Sequence, residues 1–75
     1  MFSKEILAKR LKQLRIDNNL STRDLGSILN TSCSQISKYE NSKHIPTAVM
    51  IFNYAKYFNV SSDYLLGLSD NRVIL

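Results

Sequence analysis

The chain has 75 residues with a single cysteine, a single proline, two glycines and no tryptophan. Cys33 has no partner for an internal disulfide, and no Cys/His cluster shows metal-ligand spacing, so nothing staples this small fold covalently and a reducing cytoplasm is its natural setting. With so few turn residues, sandwiches and barrels are excluded, and the helix-period runs point to an all-α bundle. Long apolar runs are absent as well. The start, MFSKEILAKR, interleaves charges with its apolar residues unlike a signal peptide, and no stretch approaches the roughly 20 residues of a membrane span. A soluble, intracellular protein is expected. Acidic residues are scarce: ten Lys/Arg against six Asp/Glu give a net charge of +4 and a pI near 9.5, which suits a polyanionic partner. At 44% hydrophobic and 21% charged the chain is too apolar for a disordered tail, and no repeat or linker divides it into more than one domain.

Ser3 can cap a first helix over about 4 to 18, with Leu7, Leu11 and Leu14 as its inward stripe. This segment also holds Lys4, Lys9, Arg10, Lys12 and Arg15, either a basic binding surface or a solvated face. Asn18-Asn19 ends it and Leu20 is an apolar anchor. Ser21-x-x-Asp24 approximates a capping box for a second helix over about 22 to 29, which buries Leu25 and Leu29. Gly26 inside that helix costs roughly 1 kcal/mol relative to Ala, so either another backbone passes close by or the position is a harmless surface one. Asn30 suits the left-handed conformation that stops a helix, and Thr31-Ser32 supplies a new cap. A third helix over about 33 to 41 has only Ile36 and Tyr39 as strong anchors, with a small, polar outer face. Pro46 is expected in the first turn of a fourth helix over about 47 to 58, whose inward stripe reads Ala48, Ile51, Phe52, Ala55 and Phe58, flanked by Tyr54 and Tyr57. Ser61 or Ser62 caps a short fifth helix that ends at Leu65-Leu66-Gly67. The division expected is one domain over 1–69 and a tail over 70–75 that is either frayed or a contact for a second subunit.

Two short helices joined by a turn of about three to four residues, the second thinly anchored, fit a helix-turn-helix. A helix entering the major groove, about 12 Å wide, needs outer side chains that are short enough for close approach or polar enough to reach base edges. Ser34 and Ser37 permit approach; Gln35 and Lys38 can reach. The stretch from about Lys9 to Gly67 resembles the lambda-repressor-like, five-helix DNA-binding domains of phage repressors and Xre/Cro/CI-type regulators. The resemblance rests on RLKQLR at 10 to 15, Leu20-Ser21, Gly26, Ile36 with Tyr39-Glu40-Asn41, Lys43-x-x-Pro46, and Val60-Ser61 with Leu65-Leu66-Gly67. No single piece is specific, but their joint order and spacing are.

What that resemblance implies is a compact five-helix bundle, bacterial or phage-encoded, that represses transcription by occupying a pseudo-palindromic operator as a dimer. Cys33, Ser34, Gln35, Ser37 and Lys38 then become base-contacting candidates, with Lys38 directed at guanine O6/N7 or at a phosphate. Thr22, Ser32, Asn41 and Lys43 become backbone-contacting candidates, which position the protein without reading sequence. Arg15 and Glu40 become a structural ion pair. The sequence departs from the family at Ser42, where glycine is usual, so that either a left-handed serine is strained or the turn differs. Cys33 reads as an apolar contact to a thymine methyl, a redox-sensitive thiol, or simply a small residue. No cofactor, metal or small-molecule ligand is expected. The alternative is a protein-interaction module or antitoxin-type partner on the same fold. An enzyme is rejected because His44 stands alone, no carboxylate pair or nucleophile–base spacing appears, and so short a chain is expected to have no room for a pocket of roughly 300 Å³.

Overall fold

The computed structural model describes residues 1–74, and every helix in it opens on a hydroxyl side chain. In α1 (Lys4–Asp17) the Ser3 Oγ accepts from the Ile6 N–H at 3.2 Å. In α2 (Thr22–Ile28) the cap is a full box: Ser21 Oγ accepts from the Asp24 N–H at 2.9 Å, and the Asp24 carboxylate accepts from the Ser21 N–H at 3.1 Å. Those donors hold the Asp24 carboxyl below the ordinary aspartate range. Ser32 caps α3 (Cys33–Glu40), Thr47 caps α4 (Ala48–Phe58) and Ser61 caps α5 (Ser62–Leu66). A hydroxyl cap contributes about 1 kcal/mol, and three of these helices are far below the length at which propensity alone sustains them. The helices stop as uniformly as they start. Asn19, Asn30, Ser42 and Asn59 adopt φ of 57°, 58°, 60° and 55°, and Gly67 a φ of 84°. Asparagine tolerates this left-handed region; Ser42 has no such dispensation and stands there strained.

α1 packs on both α3 and α5, α2 packs on α3, and α4 packs on α5. The core joins Leu7, Leu11 and Leu14 of α1 to Leu25 and Leu29, Ile36 and Tyr39, Ile51 and Tyr54, and Val60, Tyr64 and Leu65. Gly26 is buried because the turn after α2 lies on it: a Cβ there would meet the Thr31 carbonyl oxygen at 2.9 Å and the Cys33 nitrogen at 3.1 Å. Both are backbone atoms that cannot step aside.

Two expectations for the fourth helix need correction. Thr47 is the N-cap, which places Pro46 outside the helix, buried beneath the loop, and not in the first turn. The inward stripe is Ile51, Tyr54, Ala55 and Phe58, with Met50 beside it; Ala48 is exposed and Phe52 is 61% exposed. Stripes starting at 48 and at 51 share Ile51, Ala55 and Phe58, so periodicity alone selects neither. Packing selects the second by burying the whole Tyr54 ring, which stacks on Phe58 at 6.0 Å between centroids. The Tyr54 hydroxyl is left with no hydrogen-bond partner, and burial pushes its ionisation upward.

The tail folds back onto the bundle. Ser61 donates from its N–H to the Arg72 carbonyl at 2.8 Å, and its hydroxyl donates to the Asn71 carbonyl at 3.2 Å. Arg10 donates to the carbonyls of Tyr64 and Ser69 and pairs with Asp70 at 2.8 Å, with its guanidinium 4.3 Å above the Tyr64 ring centre. Arg72 lies over the same ring at 5.2 Å and reaches Asp17 at 3.4 Å. Between α4 and the tail an open groove of about 560 Å³ is lined in part by Phe52, Ala55, Val60, Val73 and Ile74, more space than expected of so short a chain. Leu75 lies outside the described residues. Two substitutions should move stability in opposite directions in urea titrations. Gly26→Ala is expected to lose about 2 kcal/mol through backbone overlap, and Ser42→Gly to gain about 0.5–1 kcal/mol by relieving the left-handed serine.

Candidate nucleic-acid interface

Residues 29–32 carry the chain from α2 to α3. The left-handed Asn30 makes the reversal, and the Thr31 N–H donates to the Gly26 carbonyl at 2.7 Å, closing the turn on α2. The Ser32 hydroxyl then accepts from the Gln35 N–H at 3.0 Å and starts α3 at once. α3 buries Ile36 completely and Tyr39 almost so. Its other face presents Cys33, Ser34, Ser37 and Lys38, all exposed.

Gln35 lies between the two faces and is half-buried. Its Nε2 donates to the Tyr39 hydroxyl at 3.1 Å, and its Oε1 lies 3.3 Å from His44 Nδ1. At the far end of α3, Asn41 turns its amide back, donating to the Ser37 carbonyl at 2.8 Å. Lys43 is exposed and its N–H donates to the Lys38 carbonyl at 2.8 Å, so the following loop wraps the helix end. Thr22, the first residue of α2, is half-buried.

One ion pair holds this assembly to α1. Arg15 donates from Nε to Glu40 Oε2 at 2.7 Å and from Nη2 to Oε1 at 3.0 Å, while Nη1 donates to the Leu20 carbonyl at 2.8 Å. The side chains are only 14% and 4% exposed, and the hydrogen bonding to Glu40 raises the affinity of Arg15 for its proton. Guanidinium and carboxylate match as forks, which gives direction as well as energy.

The helix-turn-helix domain family matches residues 8–70. The chain belongs to that family. Over 61 residues it is 33% identical to the HTH-type transcriptional regulator ImmR of Bacillus subtilis (strain 168); these are 81% of this chain but 48% of ImmR, so the chain spans about half the length of that relative. The fold superposes on the P22 c2 repressor protein, crystallised with synthetic operator 9T, with a TM-score of 0.77 at 26% identity, covering 81% of this chain and 92% of the repressor chain. The solution structure of the P22 c2 repressor DNA-binding domain gives 0.76 at 25% identity, covering 85% and 84%. The five-helix, lambda-repressor-like architecture is thus shared with repressors.

In this helix-turn-helix domain the basic residues divide by location. Arg15 is held by Glu40 and Arg10 by the tail, so two of the five basic residues in α1 are engaged internally and do not form an even basic face. Lys38 and Lys43 stand exposed on and beside α3. Two further residues come to this corner that the sequence did not assign to it: Lys4, whose carbonyl accepts from the Ser42 hydroxyl at 3.5 Å, and His44 against Gln35. No periodicity could have placed either, because the approaches span 38 and 9 positions and exist only once α1 and the loop pack on α3. Glu40→Ala should strand the Arg15 charge and lower unfolding free energy by about 3 kcal/mol, more than removal of an exposed pair such as Arg72–Asp17. Urea midpoints of the two variants would test that order.

Proposed function

We propose that the chain is a sequence-specific double-stranded-DNA-binding transcriptional regulator, a repressor that occupies a pseudo-palindromic operator as a homodimer. The observation that carries this reading is α3 itself. Ile36, Tyr39 and the Glu40–Arg15 pair mount it on the bundle, while Cys33, Ser34, Ser37 and Lys38 line its exposed side with small or cationic groups. Small side chains let the helix backbone enter the major groove, and Lys38 supplies the donor that guanine O6 and N7 accept. Gln35 borders this edge. Thr22, Ser32, Asn41 and Lys43 flank it and would meet phosphates, fixing register without reading bases. Further support comes from the P22 c2 repressor, whose crystal structure contains an operator.

One α3 reads only a short site, and each base pair contributes about 1–3 kcal/mol of discrimination, so two copies on a two-fold site are required for useful specificity. The tail supports a contact surface for the second copy. Its clasp onto α1 and α5 leaves Val73 and Ile74 exposed beside Phe52, along the groove described above.

Selection from a random duplex library should enrich a palindromic site, with log affinity falling by about 0.9 per phosphate neutralised as log salt rises. No enrichment together with a flat salt response would sink the DNA reading and favour a protein-interaction module. On the enriched site, Lys38→Ala should weaken binding and relax preference at one base pair; equal loss on every sequence would make Lys38 a phosphate contact instead. Deleting residues 73–75 leaves the Asp70 and Arg72 clasps in place and should shift the DNA-bound species from dimer to monomer in sedimentation. Unchanged sedimentation would exclude the tail as the dimer contact.

A further inference from the structure

We infer that Gln35 is a positioning residue that makes His44 a proton-gated contact for the DNA backbone beside α3. The inference rests on the DNA reading above and assigns roles at the flank of the same site. Gln35 has its amide committed twice, through Nε2 to the Tyr39 hydroxyl and through Oε1 to His44 Nδ1. It thereby ties the first turn of α3 to the loop that follows the helix. The loop is also pinned at its own backbone, where the N–H groups of Lys43 and His44 both donate to the Lys38 carbonyl, at 2.8 and 3.3 Å. The imidazole is therefore held next to Lys38 and Lys43, exposed, at the edge of the face assigned to DNA.

With the amide turned so that Nε2 donates to Tyr39, Oε1 faces the ring and can only accept; this orientation assigns the hydrogen to Nδ1 and leaves Nε2 of the neutral ring a bare lone pair. A bare lone pair cannot bond a phosphate oxygen, which is itself only an acceptor. Protonation leaves the Nδ1–H···Oε1 bond intact and converts Nε2 into a charged donor. Gln35 thus suppresses the neutral ring as a phosphate ligand, and the contact exists only when the ring is charged. Of the groups at this corner, Lys38 and Lys43 are cationic, Tyr39 is neutral, Glu40 is engaged by Arg15, and Lys4 approaches through its backbone carbonyl. Among the described residues no carboxylate hydrogen-bonds to the imidazole.

The sign is set by linkage. DNA binding favours the protonated ring, so affinity is greater at low pH and declines as pH rises. The test is titration of the enriched duplex at about pH 5.5 and about pH 8, at several salt concentrations, with the wild type, His44→Gln and Gln35→Leu. The wild type should bind about fivefold tighter at the lower pH, with a salt slope steeper by about 0.9, as expected for one extra neutralised phosphate near physiological salt. His44→Gln keeps a polar side chain that does not titrate and should lose both effects while keeping the base preference. Gln35→Leu, compared with its own affinity at the other pH, should lose most of the pH effect. Nitrogen-resolved spectra of the free wild-type protein should show the neutral ring protonated at Nδ1. A wild-type pH response in His44→Gln or in Gln35→Leu, or a neutral ring protonated at Nε2, would each overturn the inference while leaving the DNA reading standing. Failure of the wild type to bind any duplex would overturn both.

Discussion

The arrangement depends on one planar contact, the Arg15 guanidinium against the Glu40 carboxylate. It joins the last turn of α1 to the last turn of α3, and its remaining N–H group holds the Leu20 carbonyl just before α2. Taking two charges from water is costly, and apolar residues of similar size would often serve stability as well. What apolar residues could not supply is direction. Two parallel hydrogen bonds at 2.7 and 3.0 Å fix the rotation of α3 about its axis in a way that the smooth contacts of Ile36 and Tyr39 do not. For a helix whose outer face is to be read against a groove, rotation decides which side chains are presented.

That requirement explains why so little of α3 is buried. A deeply anchored helix would give its small polar face to the core; this one gives up Ile36 and Tyr39 only and keeps the rest exposed. The close approach at Gly26 works to the same end, since it brings the turn down onto α2 and leaves α3 standing clear. The cationic side chains follow the same division between frame and surface. Arg10, with its tail contacts and the Tyr64 ring beneath it, and Arg15 belong to the frame, whereas Lys38 and Lys43 belong to the surface.

Much of this was legible in the residues themselves because it is local. The caps at Ser3, Ser21 and Ser32, the left-handed stop at Asn30, and the α1 stripe of Leu7, Leu11 and Leu14 all rest on interactions within a few positions along the chain, whereas the two readings of Gly26 were separated only by the turn that packs on it. The fourth helix was misread where two stripes fit one pattern. Apolarity favoured Phe52, but the core position is filled by Tyr54, on the side of Arg15, Tyr39 and Glu40, despite its unpartnered hydroxyl. Pro46 was misplaced by one step for a related reason, since Thr47 can be either a helical residue or a cap and only the backbone decides. In the candidate site, the exposed row on α3 was visible as a run of small and polar residues. The bracket of Tyr39, Gln35 and His44 was not, because it crosses from helix to loop.

The sequence by itself determined that the elements are α-helices, where α1 to α3 are capped, and which of their residues turn inward, because capping, left-handed stops and helical periodicity act over three or four residues. Only the tertiary structure decided which face of α4 is buried, that Arg10 and Arg15 serve the frame and not an open basic surface, and that His44 and Lys4 stand beside α3. Those outcomes depend on how elements distant in the chain share volume and charge, and no pattern along one helix carries that information.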